Sequence, residues 1–94
     1  MNKAAARAII DGMAIPPAQS QAARRTIVRA TASEEIDIVA VKNGDILITR
    51  QRAGNVGKQV FEDTISPDGT KIVVQKAYDD AGNLVHYDPK GGTP

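Results

Sequence analysis

The stretch KQVFEDTISPDGTKIVVQKAYDDAGNLVHY, residues 58–87, decides the fold of this chain. β-Branched and other apolar residues recur there at a period of two, and the polar segments SPDG and DDAGN interrupt them. In SPDG, Pro67 presets φ and Gly69 can take the left-handed position of a turn with a bulge, and Gly82 can do the same in DDAGN. The pattern therefore predicts three antiparallel strands joined by two tight hairpins.

The same alternation continues upstream of residue 58. IDIVAV and DILITRQR flank KNGD, whose Asn43–Gly44 pair is a strong hairpin signal because a type I′ turn needs positive φ at both central residues. Between the second and third predicted strands lies AGNVGK, a glycine-containing loop that is longer than a hairpin needs. We therefore expect a meander that forms a four- to five-stranded antiparallel sheet over about residues 36–88.

Two helices are predicted before the sheet, over about residues 2–32. NKAAARAIIDG indicates a short helix, with Asn2 as the N-cap and Gly12 as the left-handed residue at its C-terminus. IPPAQSQAARRTIVRATAS indicates a longer helix, because Pro16 and Pro17 suit a first turn. One face of this second helix holds apolar residues at helical spacing, namely Ala23, Ile27 and Ala30.

Length and composition favour one domain that spans residues 1–94. Hydrophobic residues make up 41% of the chain and aromatic residues only 3%, so a single core must consist of Ile, Val, Leu and Ala. An α+β fold is expected, with both helices packed on one face of a twisted sheet. No apolar run approaches the roughly 18 residues of a membrane span, so no such span is expected.

Metal ions and cofactors are not expected. The chain has no cysteine and one histidine, and its carboxylates are scattered, so no ligand cluster for zinc is apparent. A small core with few aromatic residues is also a poor setting for a large preformed cofactor cavity. Any chemistry is therefore predicted to be metal-free.

Basic residues are concentrated in two zones, although the net charge is only +1. Residues 1–30 hold five basic side chains against one acidic one, and residues 50–58 add three basic side chains with no acid. These zones could bind phosphate, or they could be a solvated helix face and a loop. The predicted phosphate contacts are Arg25, Arg29, Arg52, Lys58 and Lys90.

The predicted turns also specify which residues face each other across the sheet. A two-residue Asn-Gly turn places Asp37 opposite Arg50. A three-residue loop at residues 80–82 places Lys76 opposite His86, and the loop at residues 67–69 places Val60 beside Lys76. Directly opposed cations destabilise a sheet, so this register favours a neutral histidine or a bound anion between the two side chains.

These side chains suggest a site for metal-free phosphodiester cleavage. Imidazole from His86, ammonium from Lys76 and phenol from Tyr78 would supply a base, a cation for the phosphorane and an acid. Arg50 has a second interpretation as a surface ion pair with Asp37, whereas Arg52 is free to bind phosphate with its planar guanidinium. A lone histidine is also often structural, so this alternative stays open.

The sequence DILITRQRAGNVGKQVFEDTISPDGTKIVVQKAYDDAGNLVHYDPK, residues 45–90, resembles the C-terminal toxin domains of bacterial polymorphic toxins, especially those of contact-dependent growth inhibition. The resemblance covers about half of the chain. It implies the fold shared by barnase, EndoU and the tRNA-cleaving colicins. It also implies a metal-independent ribonuclease, often directed at tRNA. Metal-free attack by the ribose 2′-hydroxyl would leave a 2′,3′-cyclic phosphate.

The resemblance further implies a biological setting and a site. The domain would be part of a larger secreted or cell-surface effector, would act in the cytoplasm of the target cell and would be blocked by an acidic cognate immunity protein. The implied catalytic residues lie on the last strands, His86, Lys76 and Tyr78, with support from Arg50 and Arg52. EndoU-like enzymes use two histidines and this chain has one, so a lysine or a tyrosine would have to replace the second.

Two other interpretations remain open. YDDAGNLVHYDPKGG is similar to one YD repeat of large repeat-built toxin shells, although a single copy cannot form a shell. The chain could also be a non-catalytic module that binds nucleic acid, or a structural or interaction segment of a larger secreted protein. A nuclease should arrest growth when it is expressed in the bacterial cytosol, whereas a binding module should be tolerated.

Overall fold

A computed structural model describes residues 1–54 and 57–93 of the chain. Two helices pack on one face of a five-stranded sheet, in which each strand pairs antiparallel with the next in the order β1-β2-β3-β4-β5. The predicted α+β fold is confirmed. The centre of the AGNVGK loop, residues 55–56, lies outside the described residues. The elements are α1 (Lys3–Gly12), α2 (Pro17–Arg29), β1 (Glu35–Ala40), a 3₁₀ turn (Lys42–Gly44), β2 (Ile46–Ala53), β3 (Lys58–Ile65), β4 (Lys71–Tyr78) and β5 (Leu84–Thr93).

The N-terminus of α1 follows the sequence prediction, but its C-terminus does not. The Asn2 side chain accepts a hydrogen bond of 2.8 Å from the backbone N–H of Ala5, which confirms the predicted N-cap. Gly12, predicted to be left-handed, is instead the last helical residue, and Met13 follows it in an extended conformation. The N–H of Met13 donates a hydrogen bond of 3.1 Å to the carbonyl of Ile10, so α1 ends without a left-handed residue.

Helix α2 begins at Pro17, as the two prolines predicted, and it is fixed to the sheet by Gln19. The buried Gln19 side-chain amide donates hydrogen bonds to the carbonyl oxygens of Gly44 (2.8 Å) and Ile65 (2.9 Å). These bonds connect the first turn of α2 to the ends of the strands below it. The predicted apolar face is confirmed, because Ala23, Ile27 and Ala30 are all buried.

The turn between β1 and β2 has the predicted backbone chemistry but a different length. Asn43 and Gly44 both have positive φ, 66° and 79°. The loop nevertheless holds three residues, because the N–H of Val41 donates to the carbonyl of Asp45 at 2.9 Å and Lys42 joins the turn.

This longer loop moves the β1–β2 register by one residue. Arg50 lies opposite Ile36, and Asp37 lies opposite Thr49, so the predicted Asp37–Arg50 pair is wrong. Successive side chains of a strand point to opposite faces, so Asp37 and Arg50 are on different sides of the sheet. Arg50 is therefore available to a different carboxylate.

The β4–β5 hairpin has the predicted loop but also two register shifts, one close to the turn and one between Val73 and Val74. Asp79 donates its N–H to the carbonyl of Asn83 at 2.9 Å, and Gly82 has φ of 84°, which confirms the three-residue turn. Beyond that turn the register shifts between Ala77 and Tyr78, so that His86 pairs with Ala77 and not with Lys76. The predicted pairing of Lys76 with His86 is wrong because the shift close to the turn is a bulge, which inserts one extra residue into β5.

The remaining predicted register, between β3 and β4, is confirmed. Val60 lies opposite Lys76, and the three-residue loop at residues 67–69 is closed by a 2.8 Å hydrogen bond from Ser66 to Thr70. Gly69 has φ of 89°, as the turn chemistry requires.

The core lies between the helices and the first three strands. We call the face on which Ile36, Ile48 and Ile65 meet the helices the helix side, and the opposite face the open side. The buried core residues of the sheet all belong to β1, β2 and β3, whereas the described side chains of β4 and β5 are at most half-buried. Within residues 1–54 and 57–93, no layer covers the helix side of β4 and β5 beyond α2.

Substitution of Ile48 by alanine tests this assignment of the core. Ile48 is fully buried in the cluster beneath the helices, so Ile48→Ala should lower the free energy of unfolding by about 2–5 kcal/mol. Val39→Ala is the matched control, because Val39 lies on the open side with 45% of its surface exposed, and its loss should be much smaller. Urea denaturation measures both, and equal losses would contradict the placement of the core.

Candidate active site

A shelf on the helix side, next to α2, is the strongest candidate for a functional site. We define the shelf by Lys71, Val73, Gln75 and Ala77 of β4 and by His86 and Asp88 of β5. The register places Gln75 opposite Asp88 and Ala77 opposite His86. From Lys71 to Ala77 the strand rises about 20 Å at roughly 3.3 Å per residue. The shelf is thus long enough to accommodate several nucleotides of an extended strand.

A buried ion pair between β2 and β3 lies next to the shelf, on the same side of the sheet. Asp63 is fully buried, and its carboxylate accepts hydrogen bonds from Arg50 Nε (2.9 Å) and Nη2 (3.5 Å). Arg50 also approaches Glu34 Oε1 at 3.9 Å, and its guanidinium lies 4.7 Å from the centre of the Phe61 ring. Arg50 is thus committed to two carboxylates, which makes it a structural support for the site rather than a free phosphate ligand.

In the part of the chain that the structure describes, Arg52 forms no ion pair with a carboxylate. Its Nε and Nη2 both donate to Gln59 Oε1, at 3.2 and 3.1 Å, and its guanidinium lies 5.9 Å from the centre of the Phe61 ring. A neutral partner leaves the positive charge of Arg52 uncompensated at this contact. The prediction that Arg52 could bind phosphate is consistent with this geometry.

His86 lies on the exposed edge strand β5, with two charged residues next to it. Asp88 lies two residues after His86 in the same strand, so both side chains point to the helix side. Lys90 Nζ contacts Asp88 Oδ2 at 2.5 Å. The hydrogen bond from Lys90 is the main cause that lowers the pKa of Asp88, and the nearby His86 charge adds to it. Asp88 is a residue of β5, so a carboxylate and not Lys76 is the charged neighbour of His86 on this face.

Three predicted site residues lie on the open side, away from His86. Lys76 Nζ contacts Glu62 Oε1 at 3.0 Å, and this hydrogen bond is the main cause that raises the pKa of Lys76. Lys58 Nζ lies 5.5 Å from the centre of the Tyr78 ring, its cross-strand neighbour. Because the sheet separates Lys58, Lys76 and Tyr78 from His86, the predicted site of His86, Lys76 and Tyr78 around one phosphate is not assembled.

The exposed face of α2 borders the shelf with Arg25 and Arg29. Next to them, Lys71 Nζ donates a hydrogen bond of 3.3 Å to Thr26 Oγ1. Burial is the main cause that lowers the pKa of Lys71, and the positive charges of Arg29, Arg50 and Arg25 act in the same direction.

Sequence reasoning missed Lys71, although a signal was present. The confirmed register places Lys71 opposite Ile65, a core position, and a lysine at a core-facing position of a strand is unusual. The predicted residues therefore divide as follows: Arg25, Arg29, Arg50, Arg52 and His86 lie on the helix side, Lys90 lies next to Asp88 at its edge, and Lys58, Lys76 and Tyr78 lie on the open side.

Two further properties concern the part of the chain that the structure describes. Within residues 1–54 and 57–93, no three His, Cys, Asp or Glu side chains are close enough together to hold a metal ion. Neither described helix has the length and apolar character needed to cross a membrane.

Comparisons with known proteins identify no relative. A scan against protein-family models gave no match, and searches for similar curated proteins and for similar solved structures also found none. The resemblance to polymorphic-toxin domains therefore stays a prediction.

Proposed function

We propose that this chain is a toxin ribonuclease that binds RNA on the shelf and cleaves it without a metal ion. The single observation that carries the proposal is the concentration of cations on the helix side. Arg25, Arg29 and Lys71 lie at one end of the shelf, and Arg52 lies on the same face of the sheet towards the other end. On this side Asp63 and Glu34 pair with Arg50, and Asp88 pairs with Lys90. RNA is a polyanion, so it favours this surface over the open side, where Lys58 and Lys76 are outnumbered by Glu35, Asp37 and Glu62.

His86 is the proposed proton carrier of the reaction. Its imidazole takes the proton of a ribose 2′-hydroxyl, the 2′-oxygen forms a bond to phosphorus, and the bond from phosphorus to the 5′-oxygen breaks. The leaving oxygen takes a proton from the water that reaches this exposed strand edge. Lys90, on the same strand, is the cation for the charge of the phosphorane, whereas Arg52 lies three strands away on the same face of the sheet. The products are a 2′,3′-cyclic phosphate and a 5′-hydroxyl end.

The proposal extends to the target and the partner that the sequence resemblance implies. The substrate would be tRNA in a competing cell, reached as part of a larger effector, and an acidic immunity protein would protect the producing cell. Such an inhibitor would gain most by covering the shelf and His86, where charge complementarity would accelerate its association.

One experiment tests the function directly. The purified chain is incubated with total RNA in the presence of a chelator, and the ends of the products are determined. Cleavage that yields 2′,3′-cyclic phosphate ends is the expected result. Activity that needs a divalent ion, or products with 3′-hydroxyl ends, would contradict the mechanism.

A second candidate function is RNA binding without cleavage. The separation of Lys76 and Tyr78 from His86 favours it, because two of the three groups expected to carry out the chemistry lie across the sheet. Bound RNA that stays intact over hours, together with normal growth of cells that express the chain, would select this alternative.

Salt dependence should reveal the phosphate contacts. The affinity for a single-stranded RNA should fall steeply as salt increases, and Arg25→Gln/Arg29→Gln should reduce the slope of log K against log salt by about 1.4. Lys42→Gln, in the exposed turn before β2, is the matched control and should leave the slope unchanged. Fluorescence anisotropy at several salt concentrations measures all three proteins. A nearly flat dependence for the unmodified chain would show that the cations of the shelf do not contact RNA.

A further inference from the structure

The junction between α2 and the start of β4 combines three cations in a small region. Thr26 faces the sheet and is buried, while its neighbour Arg25 and Arg29, one helical turn further on, are exposed. Lys71 reaches this region from β4 through its 3.3 Å hydrogen bond to Thr26 Oγ1.

Thr26 fixes the direction of the Lys71 side chain. Its hydroxyl donates to the carbonyl oxygen of Ala22 at 2.9 Å, so its oxygen is left to accept from the Lys71 ammonium. The ammonium has three N–H donors, and this contact uses one. Two donors of Lys71 are therefore available at the edge of the shelf, next to the arginines of α2.

Among the described residues, no carboxylate forms an ion pair with the cations of this region, Arg25, Arg29 and Lys71. Asp63 is the acid whose charge acts on Lys71, and both of its oxygens already accept hydrogen bonds from Arg50. A half-buried ammonium among arginines without its own counter-ion is stabilised when an anion binds.

We propose that Lys71, Arg25 and Arg29 form a phosphate-binding subsite, with Thr26 as the residue that positions Lys71. Arginine guanidinium groups and an ammonium with free N–H donors are well suited to phosphate oxygens. The assignment of this phosphate to an RNA backbone rests on the function proposed above, whereas binding of phosphate itself does not.

The location of the subsite specifies its role in the reaction. Lys71 and Ala77, the residue opposite His86, are about 20 Å apart along β4 at roughly 3.3 Å per residue. A phosphate bound at Lys71 is therefore not the phosphate that is cleaved at His86. The subsite contributes equally to the bound substrate and the transition state, so its loss should raise KM and leave kcat nearly unchanged.

Inorganic phosphate is the first probe of the subsite. Titration of the full chain should shift the backbone amide NMR signals of α2 and of the start of β4. Both Lys71→Met, which keeps the apolar stem, and Arg25→Gln/Arg29→Gln, which changes only exposed side chains, should abolish these shifts. Lys42→Gln is the matched control and should retain them. Shifts that persist in both variants, or that are spread evenly over the basic surface, would overturn the subsite.

Single-stranded RNA is the second probe and separates the two proposals. Each variant should weaken RNA binding about tenfold or more, because a charged hydrogen bond contributes about 1.5 kcal/mol or more. The KM for RNA cleavage should rise by the same factor. Phosphate binding at Lys71 in a chain that cleaves no RNA would support the subsite and refute the ribonuclease. Tight binding of a polyglutamate peptide with no binding of RNA would overturn the RNA assignment, because an acidic protein would then be the occupant.

Discussion

Substitution of His86 by alanine should lower the rate of RNA cleavage by about 10²–10⁴-fold while the chain still folds. The expected loss is large because His86 is the proposed carrier of the 2′-hydroxyl proton. The fold should survive because His86 is exposed on the edge strand β5 and contributes nothing to the buried core. Single-turnover cleavage of a labelled RNA gives the rate, and thermal unfolding monitored by circular dichroism verifies the fold.

Lys76→Met is the informative comparison for this experiment. The sequence pattern predicts Lys76 as the neighbour of His86, whereas the structure places it on the open side in a 3.0 Å contact with Glu62. Cleavage by Lys76→Met should therefore stay within a few fold of the unmodified chain. If His86→Ala folds and cleaves normally, the proposed chemistry is wrong. If Lys76→Met loses as much activity as His86→Ala, the location of the site on the helix side is wrong.

Arg50→Met should be the most destabilising single change outside the apolar core, with a loss of about 3–5 kcal/mol in the free energy of unfolding. The reason is the fully buried carboxylate of Asp63, which would lose the guanidinium that donates to both of its oxygens. Methionine keeps most of the apolar volume of the arginine stem, so the loss of stability measures the removal of the charge and not the creation of a cavity. Urea denaturation of the purified variant measures the change.

Two matched variants make the Arg50 experiment decisive. Arg52→Met removes a guanidinium of the same strand that donates to the neutral Gln59, so it should cost only about 1 kcal/mol. Arg50→Met/Asp63→Leu removes both charges and should recover most of the stability, because an apolar pair can replace a buried ion pair. Equal losses for Arg50→Met and Arg52→Met would show that the ion pair is not what stabilises the sheet at this position.

Local chemistry in the sequence predicted the elements of the fold. Pro67 with Gly69 in SPDG, and Gly82 in DDAGN, specify their turns through backbone angles that few other residues adopt, and both turns form as predicted. The alternation of apolar residues between these turns predicted the strands. These features depend on interactions within a few residues, so they can be read without knowledge of the rest of the molecule.

The register of β1 against β2 needed the core as well as the turn. Positive φ at Asn43 and Gly44 is compatible with a two-residue or a three-residue loop, so turn chemistry alone left two registers. The observed one places Ile36 and Ile38 on the same face as Ile48, where the helices cover them. The other would turn both isoleucines towards the open side, so burial of the apolar face decides the choice.

The chain by itself thus determined two helices and the strands of the sheet, because each depends on short-range backbone preferences and on apolar periodicity. Its residue types also named most of the candidate site residues, although not Lys71. Tertiary structure alone decided which of those residues meet. The bulge in β5 moves His86 to the face opposite Lys76, and the packing of α2 brings Arg25 and Arg29 to Lys71. One residue inserted into a strand reverses the face of every side chain beyond it, and no local pattern near His86 indicates where that insertion occurs.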